Sequence, residues 1–290
     1  MRRQRGRAIL AQQDAKQERR RDWSDQYWWS HDGVRLHARV YAGPEGSEGA
    51  PPVLCMPGLA RNARDFEALA PHVAQYRKAI VIEFRGRGES AYAKDPMTYV
   101  PLTYVQDVVA MLDELAIDRF AAIGTSLGGL VAMLMAATLP GRLVGAVLND
   151  VGPELQAAGL ERIRDYIGAV YPGYEIHDWL RLTKRTHRLT PEGRIVTDYD
   201  KQIAAPLRVP NGGDAGVDLW PAYRALGGIP LLVLRGALSD ILARSAGEKM
   251  VAELPGSRLV EVPGVGHAPT MDEPEALSAI DAWVAELPQA

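Results

Sequence analysis

One cysteine, Cys55, stands alone among 290 residues. It excludes an internal disulfide and a cysteine-ligated zinc site, and it fits a reducing compartment, so a cytoplasmic protein is expected. An excess of one charge is lacking too: 33 basic against 36 acidic residues leave a formal net charge of −3 and a pI near 6.1. That balance gives no general attraction to a phosphate backbone, and no nucleic-acid partner is expected. No stretch approaches the roughly 20 apolar residues of a membrane span. The first residues, MRRQRGRAILAQQDAKQERRRD, lack the apolar centre of a secretory signal, because only Ala8 to Ala11 interrupts the polar run. Residues 1–22 therefore read as a basic, solvated tail. Neither a metal nor a cofactor is expected.

What is present, 47% hydrophobic and 24% charged residues, is ordinary for a globular chain, and the length suits one large α/β domain or two small ones. Gln26 to Trp29 and Val34 to Tyr41 flank Ser30-His31-Asp32-Gly33, an Asp-Gly turn between β-rich runs and hence a hairpin. Short apolar runs then alternate with helix-like segments. Pro52 to Met56, Ala79 to Phe84, Phe120 to Ile123, Leu143 to Leu148, Pro230 to Leu234 and Leu259 to Val262 read as buried parallel strands. Tyr104 to Leu115 and Leu127 to Leu139 carry apolar residues at helical spacing. This predicts a doubly wound, mostly parallel α/β sheet covered by helices. From Val151 to Gly228 no run continues the sheet, and Tyr166, Tyr171, Tyr174, Trp179, Arg181, Lys184, Arg185 and Trp220 fill the gap. An insertion this long is expected to be a folded helical cap, 151–228, within a core of 23–150 and 229–290.

The stretch AAIGTSLGGLVAMLMAA, Ala121 to Ala137, ends a strand, turns at Ser126 and opens a helix. In that context Gly-x-Ser-x-Gly predicts a nucleophile elbow: Gly124 and Gly128 let strand and helix approach closely while Ser126 is held in a strained turn at a helix N-terminus. A serine hydroxyl needs a base, and the base needs an orienting acid. Of six histidines only His267, in VPGVGHAPTMDEP, follows a late strand. Two acids lie at carboxyl ends of strands, where open α/β sheets place their sites: Asp240 in VLRGALSDIL and Asp150 in VLNDVGP. Asp240 completes the chain order Ser, Asp, His and is the favoured partner; Asp150 is the alternative. Donors for a developing oxyanion are expected from the backbone N–H of Leu127 and from that of Leu59, where Gly58 lets the loop CMPGLARNARDF turn. Asn62 reads as the N-cap of the next helix. Arg61 is either a contact for an acidic substrate or a solvated loop arginine.

These motifs, together with EFRGRGES after the strand Ala79 to Phe84, resemble the α/β-hydrolase superfamily over the whole chain except the tail. The resemblance implies an eight-stranded sheet, a lid between the strands at Leu143 and Pro230, and hydrolysis of a small-molecule substrate through an acyl-enzyme on Ser126. Two departures stand out: Pro57-Gly58 where many members have His-Gly, and Glu83 where many have Asp ahead of the Arg-Gly-x-Gly loop. The leading expectation is a serine hydrolase for a small, largely apolar carboxylic ester or lactone. Carbon–carbon bond hydrolysis of ring-cleavage products is less well matched, because PGLARNARDF lacks the glycine-rich loop of that group. A ligand-binding receptor on the same fold is the non-enzymatic alternative.

Overall fold

The computed structural model describes residues 22–167, 183–192, 194–208 and 218–289. The expected tail therefore lies outside the described residues almost entirely, as do Tyr171, Tyr174, Trp179 and Arg181.

Eight strands form one sheet in the order β1-β2-β4-β3-β5-β6-β9-β10. Here β1 is Ser24–Trp29, β2 Arg35–Tyr41, β3 Val53–Met56, β4 Ala79–Glu83, β5 Phe120–Thr125, β6 Leu143–Asn149, β9 Leu231–Gly236 and β10 Arg258–Val262. The leading hairpin is antiparallel and meets β4 antiparallel, and from β4 to β10 every pairing is parallel. All residues of β3, β4, β5, β6 and β9 are buried. Helices cover both faces of these strands, so continuous apolar runs, rather than alternating ones, are the sequences that fit.

One face carries the helices Pro101–Glu114, Leu127–Thr138, Trp220–Arg224 and Arg244–Glu253. The other carries Leu69–Val73 and Pro274–Glu286. Leu127–Thr138 is apolar nearly all round, with Val131, Ala132, Met133 and Met135 fully buried, as suits a helix enclosed on most sides. The strand before this helix, β5, runs two residues past its apolar stretch and pairs with β6, Gly124 opposite Leu148 and Thr125 opposite Asn149. Asn149 ends β6 in register with Thr125 and Leu234, and its buried side-chain amide donates to Thr125 Oγ1 (3.0 Å) and to the Pro269 carbonyl (2.9 Å).

Among its described residues, the insertion between β6 and β9 adds no strand to this sheet. Its described residues are mixed rather than wholly helical: a helix at Ala157–Tyr166, and a separate hairpin of β7, His187–Leu189, with β8, Ile195–Thr197, among short 3₁₀ turns. It is fastened to the core by Asn62 N–H to the Arg185 carbonyl (3.3 Å), Asn62 Nδ2 to Asp198 (2.8 Å) and Tyr99 Oη to Asp200 (2.7 Å). None of the helices among the described residues is long and apolar enough to cross a membrane.

Candidate active site

Ser126 sits between β5 and the helix Leu127–Thr138 with φ 52° and ψ −113°, a left-handed conformation that costs a non-glycine residue about 1–3 kcal/mol. The surroundings enforce it. A Cβ on Gly124 would lie 2.4 Å from the Gly128 carbonyl carbon, and one on Gly128 would lie 2.0 Å from the Met56 carbonyl oxygen. Both glycines are therefore required by backbone contact, and the turn between them is as tight as the sequence motif predicts. The Ser126 N–H donates to the Asn149 carbonyl (3.0 Å), while its own carbonyl accepts from Gly129 and Leu130. Its side chain makes no capping bond to the helix. The hydroxyl instead meets His267 Nε2 at 3.0 Å.

His267 Nδ1 lies 2.7 Å from Asp150 Oδ2, not against Asp240. This corrects the favoured acid, and the reason is how two loops turn. Asp150 follows β6 with φ 59°, its N–H held by the Leu234 carbonyl, and its side chain is fully buried. Oδ1 accepts the Gly236 N–H (3.0 Å) and Oδ2 accepts the Ser239 hydroxyl (2.7 Å) as well as the imidazole. Ser239 is in turn placed by the N–H groups of Ile241 and Leu242. In the loop after β9, Ser239 thus points inward and the adjacent Asp240 points out. Asp240, 42% exposed, forms a two-bond pair with Arg162 of the insertion's helix (2.5 and 2.8 Å). The Arg162 guanidinium beside it, outweighing partial burial, holds the Asp240 carboxyl below its ordinary range. A carboxylate accepts only, so His267 carries its proton on Nδ1 and offers Nε2 as the acceptor for the serine proton.

The loop after β3 approaches from the other side. A Cβ on Gly58 would lie 3.8 Å from the Ser126 Cβ. The Gly58 carbonyl accepts the Arg61 N–H at 3.1 Å, and since that carbonyl shares a trans peptide with the Leu59 N–H, the N–H points the opposite way. Leu127 opens its helix, so its N–H has no acceptor within the helix. Asn62 is the expected cap, its Oδ1 accepting from Arg64 N–H above a short 3₁₀ turn, Ala63–Phe66.

Two bracing roles lie beyond what the sequence shows, that of Arg87 and that of Glu83, which stands out there only as a departure from the family pattern. Arg87, fully buried, donates from Nε to the Leu59 carbonyl (2.8 Å) and packs over the rings of Tyr104 and Tyr99. Glu83 accepts the N–H groups of Ala63 (2.9 Å) and Glu89 (2.7 Å) and pairs with His37 (2.9 Å). Gly88 leaves room for this longer acid, because a Cβ there would fall 2.1 Å from Glu83 Oε1. The motif EFRGRGES held both residues in plain view; what it did not reveal is that they brace the Gly58 loop. Arg61, one-third exposed, pairs with Asp65 at 3.3 Å.

Residues 53–280 match the family model described as the alpha/beta hydrolase family. The chain is 34% identical over 269 residues to a 3-hydroxybutyrate-oligomer hydrolase of Cupriavidus necator, covering 84% of this chain and 91% of that one. It also superposes on the crystal structure of an alpha/beta hydrolase from Novosphingobium aromaticivorans with a TM-score of 0.85 at 49% identity, covering 92% of this chain and all of the other.

Proposed function

The chain belongs to the alpha/beta hydrolase family, and from that premise we propose that it is a serine hydrolase of small, largely apolar carboxylic esters or lactones, an oligoester of a short hydroxy acid being the substrate type suggested by its relative. The observation that carries this reading is the unbroken line from Ser126 Oγ through His267 to the buried Asp150, at 3.0 and 2.7 Å.

In the proposed reaction His267 Nε2 takes the Ser126 proton as Oγ attacks the ester carbonyl, and Asp150 holds the imidazole in the required tautomer and offsets its charge. The N–H groups of Leu59 and Leu127 receive the oxyanion of the tetrahedral intermediate, a contribution of about 3–4 kcal/mol per donor in comparable sites. The imidazolium returns its proton to the leaving alkoxide, leaving an acyl-Ser126. Water then attacks that ester with His267 again as base, and the freed acid departs. The insertion serves as the cap of this site. Supporting that role, its helix packs so closely on the loop after β9 that a Cβ on Gly159 would lie 2.2 Å from the Asp240 carbonyl oxygen.

A fluorophosphonate probe followed by peptide mapping, together with p-nitrophenyl esters of increasing acyl length and a hydroxybutyrate dimer, tests the proposal. Labelling confined to Ser126 and turnover abolished in Ser126→Ala support it. A folded protein that neither labels nor turns over any ester is instead a binding module.

A further inference from the structure

The flank of the Gly58 loop carries more positive charge than its pairings use. Arg61 lies against the oxyanion turn: its Cγ is 3.4 Å from where a Gly58 Cβ would stand, and that point is 3.8 Å from the Ser126 Cβ. Its guanidinium shares a single carboxylate, Asp65, with Arg185 of the insertion, at 3.3 and 3.7 Å. Two cations on one anion leave a net positive charge at the loop. The other acids nearby are already engaged, Asp198 by Arg64 and Arg188 and Glu67 by Lys184. Arg185 is 7% exposed, and its Nε is a buried donor with no hydrogen-bond partner among the described residues. A buried unpaired donor on a cation is costly, and an anion that reaches it relieves that cost. Arg185 is also fixed to this loop by its backbone, since its carbonyl accepts the Asn62 N–H.

We infer that Arg61 and Arg185 form a carboxylate-binding subsite beside Ser126, so that the preferred substrates are esters bearing a free carboxylate a short apolar chain away from the scissile carbonyl. The inference rests on the ester-hydrolase reading and narrows it: an oligoester of a hydroxy acid has one such end. The guanidinium forks suit a carboxylate in two-point contact, which orients the ester as well as holding it.

The test compares p-nitrophenyl hydrogen glutarate with p-nitrophenyl butyrate. The wild type should favour the anionic ester, mainly through KM, and the ratio of kcat/KM for anionic over neutral ester should fall about 10- to 100-fold in Arg61→Gln and in Arg185→Gln, the range of a charge-assisted hydrogen bond. Arg244→Gln, on the exposed start of the helix Arg244–Glu253, should keep the wild-type ratio. Equal use of both esters by the wild type overturns the subsite, as does a preference that survives both substitutions. Arg61 is partly exposed, so its variant decides the matter if Arg185→Gln fails to fold. If no ester is turned over, the ester-hydrolase reading has failed; calorimetric titration of glutarate into Ser126→Ala then judges the subsite alone, supporting it if binding is seen and lost in Ser126→Ala/Arg61→Gln, and refuting it if there is none.

Discussion

Replacing Asp150 by Asn changes one atom in a site where hydrogen-bond polarity is fixed on every side. The carboxylate accepts from Gly236 N–H, Ser239 Oγ and His267 Nδ1. An amide offers one acceptor oxygen and, in place of the other, an NH2 group that only donates. If its oxygen stays on the Gly236 N–H, its NH2 faces His267 Nδ1, drawing the imidazole into the tautomer with hydrogen on Nε2, where it no longer accepts the serine proton. If the amide turns over, its NH2 opposes the Gly236 N–H instead, donor against donor. The analogous change in a triad costs about 10⁴ in kcat, or roughly 5.4 kcal/mol of activation free energy at 1.36 kcal/mol per decade. Asp240→Asn removes only an exposed ion pair, worth about 0–1 kcal/mol, and should leave kcat within about threefold. The assay is steady-state hydrolysis of a short p-nitrophenyl ester, with thermal melts confirming that both variants fold. A larger loss in Asp240→Asn than in Asp150→Asn refutes the assignment of the acid.

Gly128→Ala pushes a Cβ to 2.0 Å from the Met56 carbonyl oxygen and should lower stability by about 3 kcal/mol or more, seen in urea melts, with turnover lost as the elbow shifts. Ser126→Gly removes the strain of φ 52° and should raise stability by about 1 kcal/mol while abolishing turnover; unchanged or lower stability argues against a strained elbow. Arg87→Met removes the bond to the Leu59 carbonyl, so kcat for a neutral ester should drop about tenfold or more if that bond braces the oxyanion turn. The hydrogen bond from Arg85, stronger than the opposing partial burial, lowers Asp32 to about 2. A depressed carboxyl stabilises the fold above its unfolded value near pH 4, and this contribution is lost as pH falls toward 2. Asp32→Asn should accordingly flatten the acid side of the Tm–pH profile, and a profile parallel to wild type would contradict the pairing.

Apolar runs and their spacing were enough to place the strands of the eight-stranded sheet, though not the small hairpin of the insertion, because a parallel strand buried on both faces tolerates little else: Val53–Met56 and Ala79–Glu83 have no exposed residue. The elbow was equally legible, since Gly124 and Gly128 are dictated by contacts within a few residues of Ser126 and with the neighbouring strand. His267 stood out because a single histidine follows the last strand. The acid did not, for Asp150 and Asp240 both lie just beyond strand ends, and composition assigns no direction to a side chain. That choice rests on the positive φ at Asp150 and on the loop that turns Ser239 inward and gives Asp240 to Arg162 of the insertion. The bracing roles of Arg87 and Glu83 and the shared Asp65 between Arg61 and Arg185 likewise join residues up to 120 positions apart. Local chemistry determined where a serine nucleophile sits, because the elbow is built from adjacent residues; which carboxylate orients its base was decided only by tertiary structure, because that contact is set by the relative rotation of two separate loops.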